Sequence, residues 1–352
     1  MGGSWTLVTG SNGFLAGHLI RALLEDGRRV KALVRGGADT SSLLGLPRES
    51  LRVAQGDVQI VDRVYAAMNG CDSVFHLAAP TSLSERDGAE TERVALRSTE
   101  AVLEAGRRAS LSRIVVVGCA LSQAATAGPT LEPTAGAAVG RERNVQARSK
   151  RAVEKLALQA AERGQPVIVA SPGLVVGARD ARPSLGGAVV LSYLRQSLAL
   201  PMPVVPGGAA WVGAADVARG LVQVLEQGRV GERYALGGEN LTHRALLTKL
   251  SDLTGLAEPG EAPSLGRARF IASLAEFRAR LGGGAPGITT ALIDDYWGRY
   301  LYVNDEKARQ ELGYRPRPVG EALAESVRWY ASNGYLPDAN ARGLRLDATL
   351  VS

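Results

Sequence analysis

The sequence predicts an α/β fold in which a doubly wound parallel sheet carries a smaller, mostly helical C-terminal lobe. Short β-branched runs alternate with longer amphipathic stretches from Thr6 to about Ala170, and this alternation is typical of βαβ units. A glycine-rich turn that begins at Gly10 joins the first of these strands to the first helix. After Pro172 the alternation breaks up, and helical patterns dominate from Thr242 onward.

The predicted strands are short apolar runs, and the helices between them are amphipathic. The strands are expected at residues 6–9, 29–34, 51–55, 73–77, 113–117, 167–170 and 233–236. The helices are expected at residues 13–26, 60–69, 91–107, 143–163 and 216–226. Because parallel strands need long crossover connections, helices between successive strands favour a parallel sheet that is covered on both faces.

The composition excludes several classes of function. The formal net charge is +6, but the basic residues are scattered among acids without a lysine or arginine block, so no nucleic-acid partner is expected. Two cysteines and three widely separated histidines predict neither a disulfide framework nor a metal site. No apolar run approaches the roughly 18 residues of a membrane span, and the early glycine turn leaves no room for a signal peptide. We therefore expect a cytoplasmic protein.

The turn after the first strand has the composition of a pyrophosphate-binding site. Gly10 permits the tight turn, Gly13 lets the backbone approach the phosphates, and the small Ala16 lets the helix pack on the strand. The helix N-terminus then presents N–H groups and a partial positive charge to the anion. This predicts a Rossmann dinucleotide site. Its expected contacts in the turn are Gly10, Ser11, Asn12, Gly13, Phe14 and Leu15.

The second predicted strand is followed by Arg35, which bears on the choice of cofactor. Where an NAD enzyme places an acid that holds the ribose 2′-hydroxyl, an arginine suits a 2′-phosphate through charge-assisted hydrogen bonds. The alternative is an ordinary surface arginine in a chain with many of them. The position of Arg35 favours NADP as cofactor over NAD.

These motifs resemble the extended short-chain dehydrogenase/reductase superfamily, which contains the NAD-dependent epimerases and dehydratases. The triplet at residues 56–58 looks like the family's adenine contact, and residues 70–79 look like its fourth-strand signature. Residues 171–173 look like the turn below the nicotinamide ring. The resemblance thus implies further cofactor contacts at Asp57, Val58, Leu77, Ala78, Ala79, Pro172 and Gly173.

Motifs in the C-terminal part of the chain resemble one particular branch of this superfamily. Residues 237–242, 308–318 and 331–336 look like the hopanoid-associated sugar epimerase branch, a relative of dihydroflavonol 4-reductases. The resemblance implies a nucleotide-binding domain at 1–178, completed by about 212–238, and a substrate lobe at 179–211 and 239–340. In this superfamily the helix that bears the reactive lysine often forms a dimer interface, so a homodimer is a possible assembly.

The chain departs from the family at its reaction centre, which consists of a Ser or Thr hydroxyl, a Tyr and a Lys four residues after the Tyr. Lys150 matches the family lysine, which also holds the nicotinamide ribose, but the tyrosine position is Gln146. Glutamine cannot ionise, so it cannot act as a general acid or base. The serine position falls on Cys119, and the family's Asn in the preceding helix on Ala95. The cofactor pocket is thus retained without the usual proton-transfer residues.

The lobe contains an unusual share of the chain's aromatic side chains, although core packing can account for most of them. A bulky, flat, apolar small-molecule substrate fits this composition better than a sugar nucleotide does. The aromatic residues in question are Tyr193, Trp211, Tyr296, Trp297, Tyr300 and Tyr302, and Met202 lies in the same segments.

Three functions remain open from the sequence. The first is an atypical NADPH-dependent reductase of a carbonyl or similar group, with a proton from water, Cys119, a lobe tyrosine or the substrate. The second is a non-catalytic NADP-binding sensor or scaffold. The third is an isomerase or cyclase that carries out a non-redox reaction in the substrate pocket of the family, with the nucleotide in a structural role. Sugar epimerisation ranks below these, because it needs the missing tyrosine as its base.

Overall fold

The computed structural model describes residues 4–78, 88–120, 128–129, 145–196, 202–281 and 290–336. The strands in chain order are β1 (Trp5–Thr9), β2 (Arg29–Val34), β3 (Leu51–Gln55), β4 (Cys71–His76), β5 (Arg113–Val117), β6 (Val167–Pro172), β7 (Leu174–Val176), β8 (Gly207–Gly213), β9 (Arg233–Leu236), β10 (Glu239–Thr242) and β11 (Arg299–Leu301). The helices are α1 (Phe14–Glu25), α2 (Val61–Ala67), α3 (Gly88–Arg108), α4 (Val145–Glu162), α5 (Leu185–Leu194), α6 (Ala214–Gln227), α7 (His243–Thr254), α8 (Leu265–Arg280), α9 (Thr290–Tyr296), α10 (Glu306–Leu312) and α11 (Val319–Ser332), with a 3₁₀ turn at Ser41–Leu43.

Seven strands form one parallel sheet in the order β3-β2-β1-β4-β5-β6-β9. Helices α1 and α6 pack on one face around a cluster that contains Leu19, Val115 and Leu221. Helices α2, α3 and α4 pack on the other face around Val102 and Val153. The predicted doubly wound parallel sheet is therefore confirmed, and each of its seven predicted strands lies within two residues of the observed one.

The lobe contains a second sheet that the sequence analysis did not predict. Strand β8 lies at its centre, with antiparallel β10 on one side and the parallel strands β7 and β11 in tandem on the other. The sequence of β8 is Gly-Gly-Ala-Ala-Trp-Val-Gly, which lacks the β-branched run that identifies a strand. Its small residues admit close neighbours, since a Cβ on Gly208 would lie 2.6 Å from the Leu241 carbonyl oxygen.

Two of the lobe aromatics that the sequence suggested for a substrate cavity belong to the core. Tyr193 is 0% exposed and Trp211 is 1% exposed, and both lie in the apolar cluster of the lobe. The Tyr193 hydroxyl donates to the Ala257 carbonyl at 2.9 Å. These two rings therefore hold α5 and β8 in place.

Among the described residues, no helix combines the length and the apolar character that crossing a bilayer requires.

The buried carboxylate of Asp180 links the start of α5 to α11 in the lobe. Asp180 is fully buried and accepts hydrogen bonds from the Ser184 N–H at 2.9 Å and from the Tyr330 hydroxyl at 3.2 Å. Burial raises the pKa of Asp180, and these hydrogen bonds act against the rise. Gly187 leaves the space for this arrangement, because an added Cβ would overlap the Asp180 carboxylate and the Tyr330 hydroxyl.

We expect Gly187→Ala to lower the free energy of unfolding by about 1–3 kcal/mol, because overpacking a buried site displaces its neighbours. Gly320→Ala is the matched control, since this helical glycine has nothing within 4 Å of an added Cβ. The control should be neutral or up to about 1 kcal/mol more stable. Urea denaturation of both variants measures the difference, and equal stabilities would show that the Asp180 site is not tightly packed.

Candidate functional site

The turn between β1 and α1 has the geometry of an anion cradle. Gly10 has φ +68°, and a Cβ there would lie 2.9 Å from the backbone of Ala78. The Gly13 N–H donates to the Gly10 carbonyl at 2.9 Å, and the Ser11 hydroxyl donates to the Val8 carbonyl at 2.6 Å. No side chain among the described residues caps the N-terminus of α1, and its first turn holds no acid. The helix N-terminus thus remains open to a phosphate.

The other turn residues fix this loop against its surroundings. The ring of Phe14 packs edge-on against His18, with 5.4 Å between the ring centroids. Leu15 is half-buried against the core under α1. The Nε2 atom of His18 lies 2.8 Å from the carbonyl oxygen of Ala178, so the chain after β7 is held over the start of α1.

Arg182 contacts the phosphate turn, although no motif in the sequence predicts this contact. Its guanidinium donates to the Asn12 carbonyl oxygen at 3.0 Å. The two residues are separated by 170 positions, and Arg182 lies after β7, outside any recognised motif. No local signal could have identified this residue, because only the tertiary fold brings it to the turn.

The residues predicted to contact the adenosine half follow strands that end at one edge of the sheet. Thr9 pairs with Leu33 and His76, and Val34 pairs with Gln55, so the ends of β1 to β4 are level. Three predicted contacts thus lie at this edge: Arg35, Asp57 and Leu77. The Arg35 side chain is exposed, and the Asp57 carboxylate accepts from the Gln59 N–H at 2.9 Å.

The remaining predicted cofactor contacts lie on both sides of this edge. Val58 is half-buried against the core between α2 and the sheet. Pro172 ends β6, and the Gly173 N–H donates to the Leu236 carbonyl at 3.1 Å. A Cβ on Gly173 would lie 2.8 Å from the Ala210 carbonyl oxygen, so this glycine permits the close approach of β8. Ala79 lies outside the described residues.

Lys150 and Cys119 are near neighbours at the ends of α4 and β5. The Lys150 ammonium donates to the Val117 carbonyl at 3.2 Å, two residues before Cys119. Burial lowers the pKa of Lys150, and its electrostatic interactions with Cys119 and Glu154 raise it in part. Gln146 lies in α4 one helical turn before Lys150, and its side chain is outside the described part of the chain.

Glu154 holds this region together, a role that the sequence analysis did not assign. Its buried carboxylate accepts from the Cys119 N–H and from the Ser171 hydroxyl, both at 2.8 Å. The Arg233 guanidinium lies 3.4 Å from the same carboxylate. A Cβ on Gly118 would overlap this carboxylate, so glycine is needed there. Glu154 thereby fixes the backbone position of Cys119.

His76 lies beneath the site, and both of its ring nitrogens are hydrogen-bonded to threonine hydroxyls. The Thr99 hydroxyl donates to the Ala95 carbonyl at 2.8 Å, so its oxygen accepts from His76 Nε2 at 3.2 Å. Nδ1 of the neutral ring then accepts from the Thr9 hydroxyl at 2.9 Å. Burial, with a smaller effect of the Lys150 charge, lowers the pKa of His76 to about 3. The ring is therefore a neutral structural group.

Comparison with known proteins agrees with this geometry. Residues 6–237 match the model of the NAD dependent epimerase/dehydratase family. The chain belongs to this family. The resemblance to the extended short-chain dehydrogenase/reductases is thereby confirmed, while the domain limits drawn from it stay a prediction.

Relatives are similar to this chain over nearly its whole length. A putative dihydroflavonol 4-reductase of Synechocystis sp. is 30% identical over 94% of this chain and 95% of its own. The 4-hydroxy-2-methyl-3-oxo-4-farnesyl-3,4-dihydroquinoline-1-oxide ketoreductase of Stigmatella aurantiaca is 32% identical over 92% of this chain and 95% of its own. The crystal structure of gox2253 has a TM-score of 0.80 at 27% identity and covers 95% of this chain and 100% of that one. The chain is an NAD(P)H-dependent oxidoreductase with a nicotinamide cofactor.

We expect His76 to make the folded protein less stable in mild acid. Its folded pKa of about 3 lies below the ordinary value of 6.5, so between these values only the unfolded chain takes up the proton. Stability is therefore lost as the pH falls below 6.5. Between pH 7 and pH 5 the loss from this group should be about 2 kcal/mol.

The measurement is the free energy of unfolding of the wild type and of His76→Gln at both pH values. Glutamine can hydrogen-bond at this site but does not titrate, so the variant should lose about 2 kcal/mol less than the wild type. The value at pH 7, where the histidine is neutral in the folded state, is the internal reference. Equal losses would mean that folded His76 protonates with its ordinary pKa.

Proposed function

We propose that the chain is an NADPH-dependent reductase of a carbonyl group on a bulky, flat, apolar small molecule. The observation that carries the proposal is the cluster of Lys150, Cys119 and Glu154 beside an open phosphate turn. The cluster supplies a cation and a thiol with a fixed backbone at the place where the family has its Lys and Ser. This arrangement supports the reductase over a sensor, because a nucleotide-binding sensor has no need of a positioned thiol.

The basic groups at the nucleotide edge support NADPH over NADH. Arg35 is exposed directly after β2, where the 2′-phosphate of the adenosine ribose would lie. Arg182 donates to the Asn12 carbonyl oxygen of the phosphate turn, where its guanidinium would be able to bind the pyrophosphate. When bound, NADPH supplies a hydride from C4 of its nicotinamide ring.

The residues of this chain then have two tasks in the reaction. With NADPH bound, Lys150 would hold the nicotinamide ribose. Cys119 would donate its S–H proton to the oxygen of a substrate carbonyl whose carbon accepts the hydride supplied by the cofactor. The thiolate that remains is stabilised by the Lys150 ammonium, since the two charges attract each other. A proton from water restores the thiol.

The surroundings of Cys119 support an apolar substrate. Cys119 packs against the apolar cluster of the lobe, to which Leu174 and Trp211 belong. Of the similar chains named above, one is a putative dihydroflavonol 4-reductase and the other a ketoreductase of a farnesylated dihydroquinoline oxide, and both names describe bulky ring compounds. Among the described lobe aromatics, Tyr300 and Tyr302 form an edge-to-face pair that is only half-buried.

The proposal includes the oligomeric state of the protein, a homodimer. Helices α3 and α4 pack together on one face of the sheet. We expect them to form the interface of a homodimer, as the resemblance suggests, and light scattering measures the mass in solution.

We expect Arg35→Ala to weaken NADPH binding about ten- to a hundred-fold and to leave NADH binding nearly unchanged. A charge-assisted contact to the 2′-phosphate is worth roughly 1.5–3 kcal/mol, and NADH lacks this group. Arg182→Ala is the matched control, because loss of a pyrophosphate contact should weaken both nucleotides equally. Calorimetric titration of each variant measures the two affinities. An Arg35→Ala protein that keeps its preference for NADPH would remove the role of this residue.

We expect Cys119→Ala to lower kcat about 10²- to 10⁴-fold at unchanged NADPH affinity, the range that general acid catalysis provides. Gln146→Tyr should raise the rate, because it places a phenol one helical turn before Lys150 on the same face. The assay is NADPH oxidation with aromatic ketones and quinones across pH, and the wild-type profile should lack a phenol-like ionisation.

Two controls make this assay decisive. Cys119→Ser keeps a smaller donor at the same position and should retain more activity than Cys119→Ala. A full loss of rate in Gln146→Tyr would instead assign a positive role to the glutamine, such as holding the substrate carbonyl. No turnover by any variant, with NADPH still bound, would refute the reductase and favour the non-catalytic sensor.

A further inference from the structure

Helix α8 presents its large apolar side chains to solvent and its alanines to the protein. Ala268 is 4% exposed and Ala272 is 0% exposed, and both pack on Ile293 and Trp297. On the opposite side Phe270 is 69% exposed and Phe277 is 55% exposed. A surface helix normally has the reverse arrangement.

The exposed residues form one continuous stripe. Phe270, Leu274, Phe277 and Leu281 are spaced by four, three and four residues, and they therefore share one side of the helix. Leu274 is 42% exposed and Leu281 is 73% exposed. Ile271 widens the stripe with a further exposed side chain, at 47%. Contiguous apolar surface of this kind marks a binding face.

The charges around the stripe are positive. Arg267 and Arg278 are exposed and lie beside it on the helical wheel, within about 80° of Phe270. The described acid of this helix, Glu276, is turned to the protein, where its carboxylate accepts from the Thr290 N–H at 2.7 Å. The exposed side of α8 thus combines phenylalanine and leucine with arginines, and the described residues of the helix place no acid beside them.

We propose that α8 binds the surface of an anionic lipid bilayer. Phenylalanine and leucine side chains would enter the boundary between headgroups and acyl chains, and the flanking arginines would bind the lipid phosphates. A helix that lies in the membrane plane in this way needs no membrane-spanning segment. The proposal concerns the surface of the lobe and does not depend on the reductase reaction.

A second copy of the chain fits this face less well than a bilayer does. In a two-fold interface the same patch lies on both partners, so the arginines of one copy would face those of the other. With Glu276 turned inward, the described residues of α8 offer no carboxylate on this face to neutralise them. An anionic bilayer matches both the apolar stripe and the charge.

The test is flotation of the full chain with phosphatidylcholine vesicles that contain or lack about 30% phosphatidylglycerol. The wild type should float with the anionic vesicles and bind the neutral ones at least tenfold more weakly. Phe270→Ser/Phe277→Ser should bind anionic vesicles more than tenfold more weakly, since each ring loses its apolar burial. Arg267→Gln/Arg278→Gln should bind them roughly 25-fold more weakly, from about fivefold for each charge.

Leu44→Ser/Val230→Ser is the matched control, because these side chains are 74% and 49% exposed on other parts of the surface. It should bind vesicles like the wild type, and NADPH binding should be unchanged in all variants that fold. Failure of the wild type to float with anionic vesicles overturns the proposal by itself, whatever the variants do. Light scattering that shows a dimer lost only in Phe270→Ser/Phe277→Ser would assign the face to a second copy and overturn it as well.

Discussion

The buried carboxylate of Glu154 connects the elements on which the site depends. It lies on α4, yet it accepts hydrogen bonds from the backbone after β5 and from Ser171 in β6, and it faces Arg233 in β9. A buried carboxylate is costly to desolvate, so it is tolerated only with such partners. The partners fix the distance between the helix that bears Lys150 and the strand end that bears Cys119. The position of the Lys150 ammonium relative to Cys119 therefore depends on the Glu154 carboxylate.

A second constraint is the close approach of the lobe to the parallel sheet. Gly173 follows β6 and leaves room for the carbonyl of Ala210 in β8. Strand β8 in turn pairs with β7, β10 and β11, so the small lobe sheet is built directly onto the end of β6. The apolar cluster of the lobe then lies against Cys119.

Charge is distributed unevenly over the molecule. The nucleotide edge has an uncapped helix N-terminus and the exposed Arg35, which suit phosphates. Beneath it His76 is held neutral, because burial and, to a smaller extent, the positive charge of Lys150 disfavour the protonated ring, and each ring nitrogen is hydrogen-bonded to a threonine. On the lobe, α8 combines exposed phenylalanines with arginines. Exposed arginines thus lie both at the end of β2, where they suit a phosphate, and beside the apolar side of α8.

The sequence by itself determined the positions of the seven strands of the parallel sheet and of the glycine-rich turn after β1, and it predicts the departure from the family at residues 119 and 146. These properties are local, because glycine spacing, short β-branched runs and residue type are visible without neighbours. The lobe sheet, the contact of Arg182 with Asn12 and the contacts of Glu154 were decided by the tertiary structure. They join residues far apart in the chain, and β8 is too rich in glycine and alanine to show its strand. The outward apolar face of α8 also needed the structure, since a helical pattern alone does not tell which side packs on the protein.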